Sequence, residues 1–258
     1  MKITKIEKKK HLYLVEIDDK NHLYVTQDTI ARYLLSKDKQ LSQELLAEIK
    51  DFARLSSAKN LALYYLSFKQ RSETEVRNYL KKHEHQDKVI AQVIAELKDA
   101  QWLDDRKYAE ALIRQNINTG DKGAYLLKQK LLQKGIESSV IDQELSQVDF
   151  GPLVDKVSQK LLKKYQNKLP QGALQNKIIH SLTAKGFGYQ EAKNAFDALD
   201  IEHDNGMQET LINKEMDKAY RRYSKKYEGY ALKQHITQNL ARKGFSLDTI
   251  NKALRNLD

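Results

Sequence analysis

The chain has no cysteine, only two prolines and only ten glycines in 258 residues. Without cysteine there can be neither a disulfide framework nor a thiolate metal site, which fits a reducing compartment. With prolines only at Pro152 and Pro170, little interrupts the backbone, and long helices with short connections are expected almost throughout. No stretch approaches the apolar run of about 20 residues that spans a bilayer. Met1-Lys2-Ile3-Thr4-Lys5 carries no apolar signal core either. A soluble cytoplasmic protein with no membrane association is expected.

Catalytic signatures are lacking too. No His-Glu-x-x-His pair, Walker loop or dinucleotide fingerprint occurs. The histidines, at 11, 22, 83, 85, 180, 203 and 235, are scattered, and the spacing of two between His83 and His85 turns their rings to different helix faces. Asp104-Asp105 resembles a carboxylate pair, but Arg106-Lys107-Tyr108-Ala109 follows it and marks a helix start, so capping is the better account. No nucleophile, base and orienter come together, and the chain is read as having no enzymatic activity, metal or cofactor.

What is present is charge. The formal net charge is +10, with 31% charged and 40% hydrophobic residues, a balance that favours an elongated shape with much solvated surface and points to a polyanionic or acidic partner. At the start, Leu12–Ile17 and His22–Thr26 are β-prone runs separated by the turn-rich Asp18-Asp19-Lys20-Asn21, with Ile3–Lys8 as a possible third strand. Residues 1–26 are read as a small hairpin or three-stranded sheet, followed by a linking helix at about 28–55.

The rest of the chain repeats itself. Lys134-Gly135-Ile136, Lys185-Gly186-Phe187 and Lys243-Gly244-Phe245 each follow an amphipathic run ending in a leucine, Leu131, Leu182 or Leu240. Leu80 holds the same place ahead of His83-Glu84, a degenerate upstream copy. After each junction apolar pairs recur: Ile90 and Ile94, Ile141 and Leu145, Ala192 and Phe196, Ile250 and Leu254. The last two copies align without a gap at an offset of 58, pairing Lys156 with Lys214, Lys160 with Lys218, Tyr165 with Tyr223, Leu174 with Leu232, Ile178 with Ile236, Leu182 with Leu240 and Leu199 with Leu257.

Each unit reads as three helices. Glycine at the joint ends a helix in the left-handed conformation, lysine in the last turn complements the macrodipole, and Asp87, Ser138 and Asp248 are read as caps of the next helix. The layout expected is the hairpin plus linking helix at 1–56, then three-helix repeats at 57–101, 102–148, 149–203 and 204–258. Units this short bury modest cores and are expected to stack into an elongated, curved solenoid.

Helical projection places Lys214, Lys218, Arg221 and Lys225 on one side of the first helix of the fourth repeat, with Ile212, Met216, Ala219, Tyr223 and Tyr227 opposite. The third repeat matches it, with Lys156, Lys160 and Lys163 against Val154, Leu161 and Tyr165. Residues 206–258 carry eleven Lys/Arg against six Asp/Glu, a net +5. Lysines also solvate the outer face of any amphipathic helix; two copies in register favour a binding stripe. Tyr64, Tyr65, Tyr108, Tyr165 and Tyr223 fall at core spacing, whereas Tyr230 is a candidate for stacking on bases.

Four segments carry a resemblance: Ala62-Leu63-Tyr64-Tyr65-Leu66-Ser67, Arg71-Ser72-Glu73-Thr74-Glu75-Val76-Arg77-Asn78-Tyr79-Leu80, Trp102-Leu103-Asp104-Asp105-Arg106-Lys107-Tyr108-Ala109 and Leu131-Leu132-Gln133-Lys134-Gly135-Ile136. In this order, over residues 58 to 148 or so, they resemble the successive signatures of the RecX family, bacterial regulators of RecA. The hairpin and the extra C-terminal unit are similar to the longer Gram-positive members. The resemblance implies tandem three-helix modules lying in the groove of the RecA–single-stranded DNA filament, limiting strand exchange, ATP turnover and the co-protease activity behind the SOS response. It transfers no single catalytic residue.

The candidate contacts therefore come from charge and helix position: Arg71, Arg77, Lys81, Lys82, Arg114, Lys128 and Lys134, with Lys156, Lys160, Lys163, Lys214, Lys218, Arg221 and Lys225. The expected partners are the RecA filament and single-stranded DNA phosphates, with the chain itself a monomer. A direct DNA- or RNA-binding repeat protein, and a protein-binding scaffold whose lysines only solvate it, are the other classes compatible with the same charge.

Overall fold

The computed structural model of the chain describes residues 1–201 and 205–255, apart from the side chains of Asn205 and Met207. His203 and Leu257, named above, lie outside the described residues. The architecture is mainly α, with tandem three-helix repeats after a small sheet. It divides into two compact units, Met1–Ala111 with Leu131–Glu144, and Leu112–Lys130 with Leu145–Asp258.

The first unit opens with an antiparallel sheet in the order β1 (Ile3–Lys8), β2 (Tyr13–Ile17), β3 (Asn21–Val25). Alternation puts Ile3, Val15, Ile17 and Val25 on one face, each at most 1% exposed, against Leu35, Leu41, Ile49 and Ala53. Asp18 and Asp19 both take positive φ at the β2–β3 turn, as tight hairpins require.

The linking helix expected at 28–55 is not a single helix. Thr26 caps a short α1 (Gln27–Arg32), and α2 (Gln43–Ser67) starts only after Ser42, whose hydroxyl accepts from the amide of Leu45. The segment between them pairs with the first strand instead: Ile3 donates to Lys39 O (3.0 Å), Asp38 to Ile3 O (2.8 Å) and Leu41 to Met1 O (2.7 Å). Backbone groups engaged with a sheet edge cannot also close helical turns.

The C-terminal part of α2 packs with α3 (Glu73–Lys82) and α4 (Asp87–Asp99) as the first repeat, around Ala58, Ala62, Val76, Leu80, Ile90, Val93, Ile94, Leu97 and Leu103. The second repeat, α5 (Asp105–Thr119), α6 (Ala124–Gln133) and α7 (Ser138–Ser146), contributes residues to both units. In the second unit follow α8 (Gly151–Tyr165), α9 (Gln171–Ala184) and α10 (Tyr189–Asp197), then α11 (Asn205–Tyr223), α12 (Gly229–Arg242) and α13 (Leu247–Arg255). The junction leucines Leu80, Leu131, Leu182 and Leu240 are all 0% exposed.

Each Lys-Gly junction closes its helix with the same two bonds. Ile136, Phe187 and Phe245 donate to Leu131 O, Leu182 O and Leu240 O, while Gly135, Gly186 and Gly244, at φ of 78°, 90° and 91°, donate to the next carbonyls along, Leu132 O, Thr183 O and Ala241 O. The upstream copy does likewise with Glu84 in the glycine place, at φ 62°, and His85 donating to Leu80 O.

The exposed carbonyls of these turns then meet the start of the middle helix of the preceding repeat. In the first unit the Ser72 hydroxyl donates to Lys134 O (2.6 Å) and Thr74 to Gly135 O (3.3 Å), at the start of α3. In the second unit Gly123 and Tyr125 donate to Lys185 O (2.8 Å) and Gly186 O (3.2 Å) at the start of α6, and Gly172 to Gly244 O (3.2 Å) at the start of α9. In the second unit orphan amides and orphan carbonyls satisfy one another, and in the first unit side-chain hydroxyls take the place of the amides, with helix dipoles joined head to tail.

The expected caps are displaced by one or two residues. Asp87 and Ser138 are the first residues inside their helices, and Ser246, not Asp248, accepts the amide of Thr249. The acid or hydroxyl still lies in the positive first turn, where an anion or acceptor is favourable without being the cap.

Candidate functional site

The cationic faces of the second unit are built by helical periodicity. In α11, Ile212, Met216 and Ala219 are at most 3% exposed in the core of the last repeat, which leaves Lys214, Lys218 and Arg221 exposed on the opposite side. Lys218 pairs with Glu215 at 2.5 Å. Lys225 and Tyr227 do not belong to this helix. It ends at Tyr223, and Tyr227 packs over the His235 ring with centroids 3.9 Å apart. In α8, Leu153, Val154, Val157, Leu161 and Leu162 are buried, and Lys156, Lys160 and Lys163 are exposed. The Lys156 ammonium reaches the carbonyl of Asn118 at 3.3 Å.

In the first unit the candidate cations are more occupied with their own structure. The Arg71 guanidinium lies 4.0 Å from the Tyr65 ring centroid, and Tyr65 in turn stacks on Tyr79 at 3.9 Å. Arg77 pairs with Glu73 at 3.0 Å and Lys81 with Asp87 at 3.7 Å, while Lys82 is exposed. Lys134 pairs with Glu75 at 2.7 Å across the repeat joint. Burial raises the Glu75 carboxyl, but the hydrogen bonds from Lys134 and the Ser72 amide outweigh it and hold the group below its ordinary range. The same bond raises Lys134. In the second unit Arg114 is exposed and Lys128 half-buried.

Asp104 and Asp105 work as separate caps. Asp104 accepts the amide of Lys107 at 3.0 Å at the start of its own helix. Asp105 turns to another helix and accepts the amide of Glu73 at 2.8 Å. Burial, chiefly, raises the Asp105 carboxyl, with the nearby Glu73 charge adding to it. Among the described residues no group of three His, Cys, Asp or Glu is placed to hold a metal ion. No described helix is long and apolar enough to cross a membrane.

The tyrosines divide differently from their spacing. Tyr64 is 60% exposed and meets Phe68 edge-on at 4.9 Å, so it is not a core residue; α2 turns that side to solvent at its end. Tyr65, Tyr108, Tyr165 and Tyr223 are half-buried, and Tyr230 is 84% exposed.

A further cationic surface escapes any reading along the chain. Where the Lys243-Gly244 turn meets α9, a groove of about 820 Å³ is lined by Lys177, His180, Tyr189 and Arg242 among others, and by no carboxylate. Lys177 and His180 share α9, but Tyr189 and Arg242 come from α10 and α12, so no spacing in the sequence gathers the set. The nearest signal is the lysine–glycine pair, which marks the joint.

Fold and site together define a helical-repeat protein with cationic outer faces on glycine-jointed modules. The models of the RecX first, second and third three-helix domains match residues 58–97, 104–145 and 208–254. The chain is 58% identical over 255 residues to a Streptococcus mutans protein and 57% to a Streptococcus sanguinis protein, each named Regulatory protein RecX, with 99% of both chains covered in each case. It is also similar to two solved structures. One is a crystal structure of regulatory protein RecX, at 30% identity and TM-score 0.61, covering 78% of this chain and 99% of that one. The other is RecX from Lactobacillus salivarius, at 31% identity and TM-score 0.54, covering 58% and 98%. The chain belongs to the RecX family.

Proposed function

We propose that the chain is a non-catalytic regulator of RecA that binds in the groove of the RecA–single-stranded DNA filament and mainly restrains recombinase, ATPase and co-protease activity. It acts as a cytoplasmic monomer, with the repeats at 57–101, 102–148, 149–203 and 204–258 as its modules. The observation that carries this is the pair of exposed cationic faces on α8 and α11, each built from lysines at helical spacing over a buried apolar side. Family membership supplies the partner.

Filament binding fits a repeat protein, because several weak contacts along one chain raise the effective concentration of each. Cationic faces speed encounter with a polyanion and make the complex sensitive to salt. The test is binding of the full chain to RecA-coated and to bare single-stranded DNA at physiological salt. Much tighter binding to the filament is expected. Equal affinity for both would remove RecA from the proposal and leave a direct nucleic-acid binder.

A further inference from the structure

We infer that the groove between α9 and the Lys243-Gly244 turn is a binding site for a stretch of single-stranded DNA. The proposal rests on the filament reading for its choice of occupant. Its physical content lies in the second unit alone.

The groove forms because the turn after α12 must approach α9 closely. Gly172 donates to Gly244 O at 3.2 Å, and a Cβ at Gly244 would come within 2.9 Å of the Ala173 side chain. That contact fixes the floor, and the flanking helices supply the walls. Lys177 and Arg242 are exposed on those walls, and Tyr189, the first residue of α10, is 65% exposed at the rim. Lys243 is committed to Glu215, whereas Lys177, with its ammonium 5.6 Å from the Tyr165 ring centroid, and Arg242, with its Nε donating to Gln238 O at 3.3 Å, are paired with no carboxylate among the described residues and are the cations left for a ligand. Asn176, His180 and Thr183 add further hydrogen-bonding groups.

Such positive charge is not a by-product of this type of joint. At the equivalent junction in the first unit, Gly135 and Thr74 border a smaller recess of about 280 Å³ that contains Glu73, Asp104, Asp105 and Glu137 with one lysine, Lys98. One joint thus repels a phosphodiester chain and the other attracts it. Cations that track a backbone, beside an aromatic ring on which a base can stack, are the two elements of sequence-tolerant single-strand recognition. An acidic protein segment would use the lysine and arginine but leave Tyr189 without purpose.

The experiment measures fluorescence anisotropy of a labelled oligothymidylate with the full chain over a range of salt, without RecA. Lys177→Ala combined with Arg242→Ala is expected to weaken binding roughly tenfold and to lower the log–log salt slope by about 1.4, the value for two single-strand phosphate contacts. Tyr189→Ala is expected to weaken it roughly five- to hundredfold with the slope unchanged, and Tyr189→Phe to restore it. Lys20→Ala with Lys50→Ala, an equal change of charge at exposed sites of the first unit, is the control and should bind like the parent chain.

Groove variants that bind like this control would overturn the inference, as would displacement of the oligonucleotide by polyglutamate more readily than by unlabelled strand. ATP hydrolysis by RecA, measured in parallel, separates the two proposals. A chain whose groove variants lose the strand while the parent leaves RecA turnover unchanged keeps the groove and loses RecA as partner. A chain that restrains RecA while its groove variants bind the strand normally keeps RecA and loses the groove.

Discussion

The amide of Gly123 donates to the carbonyl of Lys185 at 2.8 Å, and Asp121, two residues earlier, takes the Lys185 ammonium. One middle helix begins where the next repeat's middle helix ends, and the lysine–glycine pair serves both. It terminates its own helix and admits its neighbour. Both ends of the row depart from the pattern. Glu84 takes the glycine place in the first repeat, and Tyr230, 84% exposed, stands where Gly172 stands one repeat earlier at the offset of 58.

Substitution of two left-handed glycines, one at a joint and one at the start of α12, separates these two duties. Gly186→Ala should cost about 1–2 kcal/mol for a left-handed alanine and more for the clash, since its Cβ would lie 2.6 Å from the Leu126 amide nitrogen. Gly229→Ala, at φ 52° with nothing within 4 Å, should show the conformational cost alone. Urea unfolding of both variants measures the difference, and equal losses would mean that close approach contributes nothing.

At Glu84 the opposite change should stabilise. Glu84→Gly relieves a left-handed non-glycine worth about 1–2 kcal/mol, against about 0.5–1 kcal/mol of added chain entropy. A net gain of about 0–1.5 kcal/mol in unfolding free energy, read as a higher urea midpoint, is expected from these terms. A loss would show that the Glu84 side chain makes a contribution beyond its backbone.

The Lys134–Glu75 pair should give the first unit a pH signature. A carboxyl held low in the fold contributes above its ordinary value of 4.5 and loses that contribution as pH falls through the lower folded value. Raised Lys134 contributes below its ordinary 10.5 and loses it as pH climbs past that point. Lys134→Met should therefore cost about 1 kcal/mol near neutrality, and its stability curve should converge with the parent's at acid and alkaline extremes. Parallel curves would assign the effect to packing of the lysine stem.

Asp105 distinguishes a cap from a charge. Asp105→Asn keeps an acceptor for the Glu73 amide and removes the negative charge beside Glu73, so stability at neutral pH should hold or rise slightly. Asp105→Ala leaves that amide without its partner and should cost about 1 kcal/mol. Thermal unfolding of the two variants decides; equal losses would mean that the carboxylate charge itself is needed.

The exposed face of α11 should carry filament affinity. Lys214→Glu, Lys218→Glu and Arg221→Glu together should lower the salt slope of binding by about 2, for three phosphate contacts, with helical circular dichroism unchanged. Lys225→Glu, beyond the helix end, should have a smaller effect. An unchanged slope in the triple variant would detach this face from binding.

The repeats were legible because leucines and apolar pairs recur at helical spacing, and a core selects for that spacing directly; Leu80, Leu131, Leu182 and Leu240 are the clearest instances. The left-handed glycines were legible for a similar reason, since few residues accept positive φ. The break at residues 33–42 was not, because nothing local forbids a helix there and the competing partner is a strand some 35 residues away in the chain. Tyr64 was misplaced because periodicity gives a face without telling where the neighbouring helices stop covering it. The groove at Lys177, Tyr189 and Arg242 was invisible for want of any shared segment. Lys214, Lys218 and Arg221 share one, so their common exposed face could be read from helical spacing.

The most direct measurement is the rate of ATP hydrolysis by RecA on single-stranded DNA, titrated with the full chain and with the Lys214→Glu, Lys218→Glu, Arg221→Glu variant. The rate should fall as the parent chain is added and stay higher with the variant at equal concentration. A rate untouched by saturating parent chain would contradict regulation of RecA by this protein.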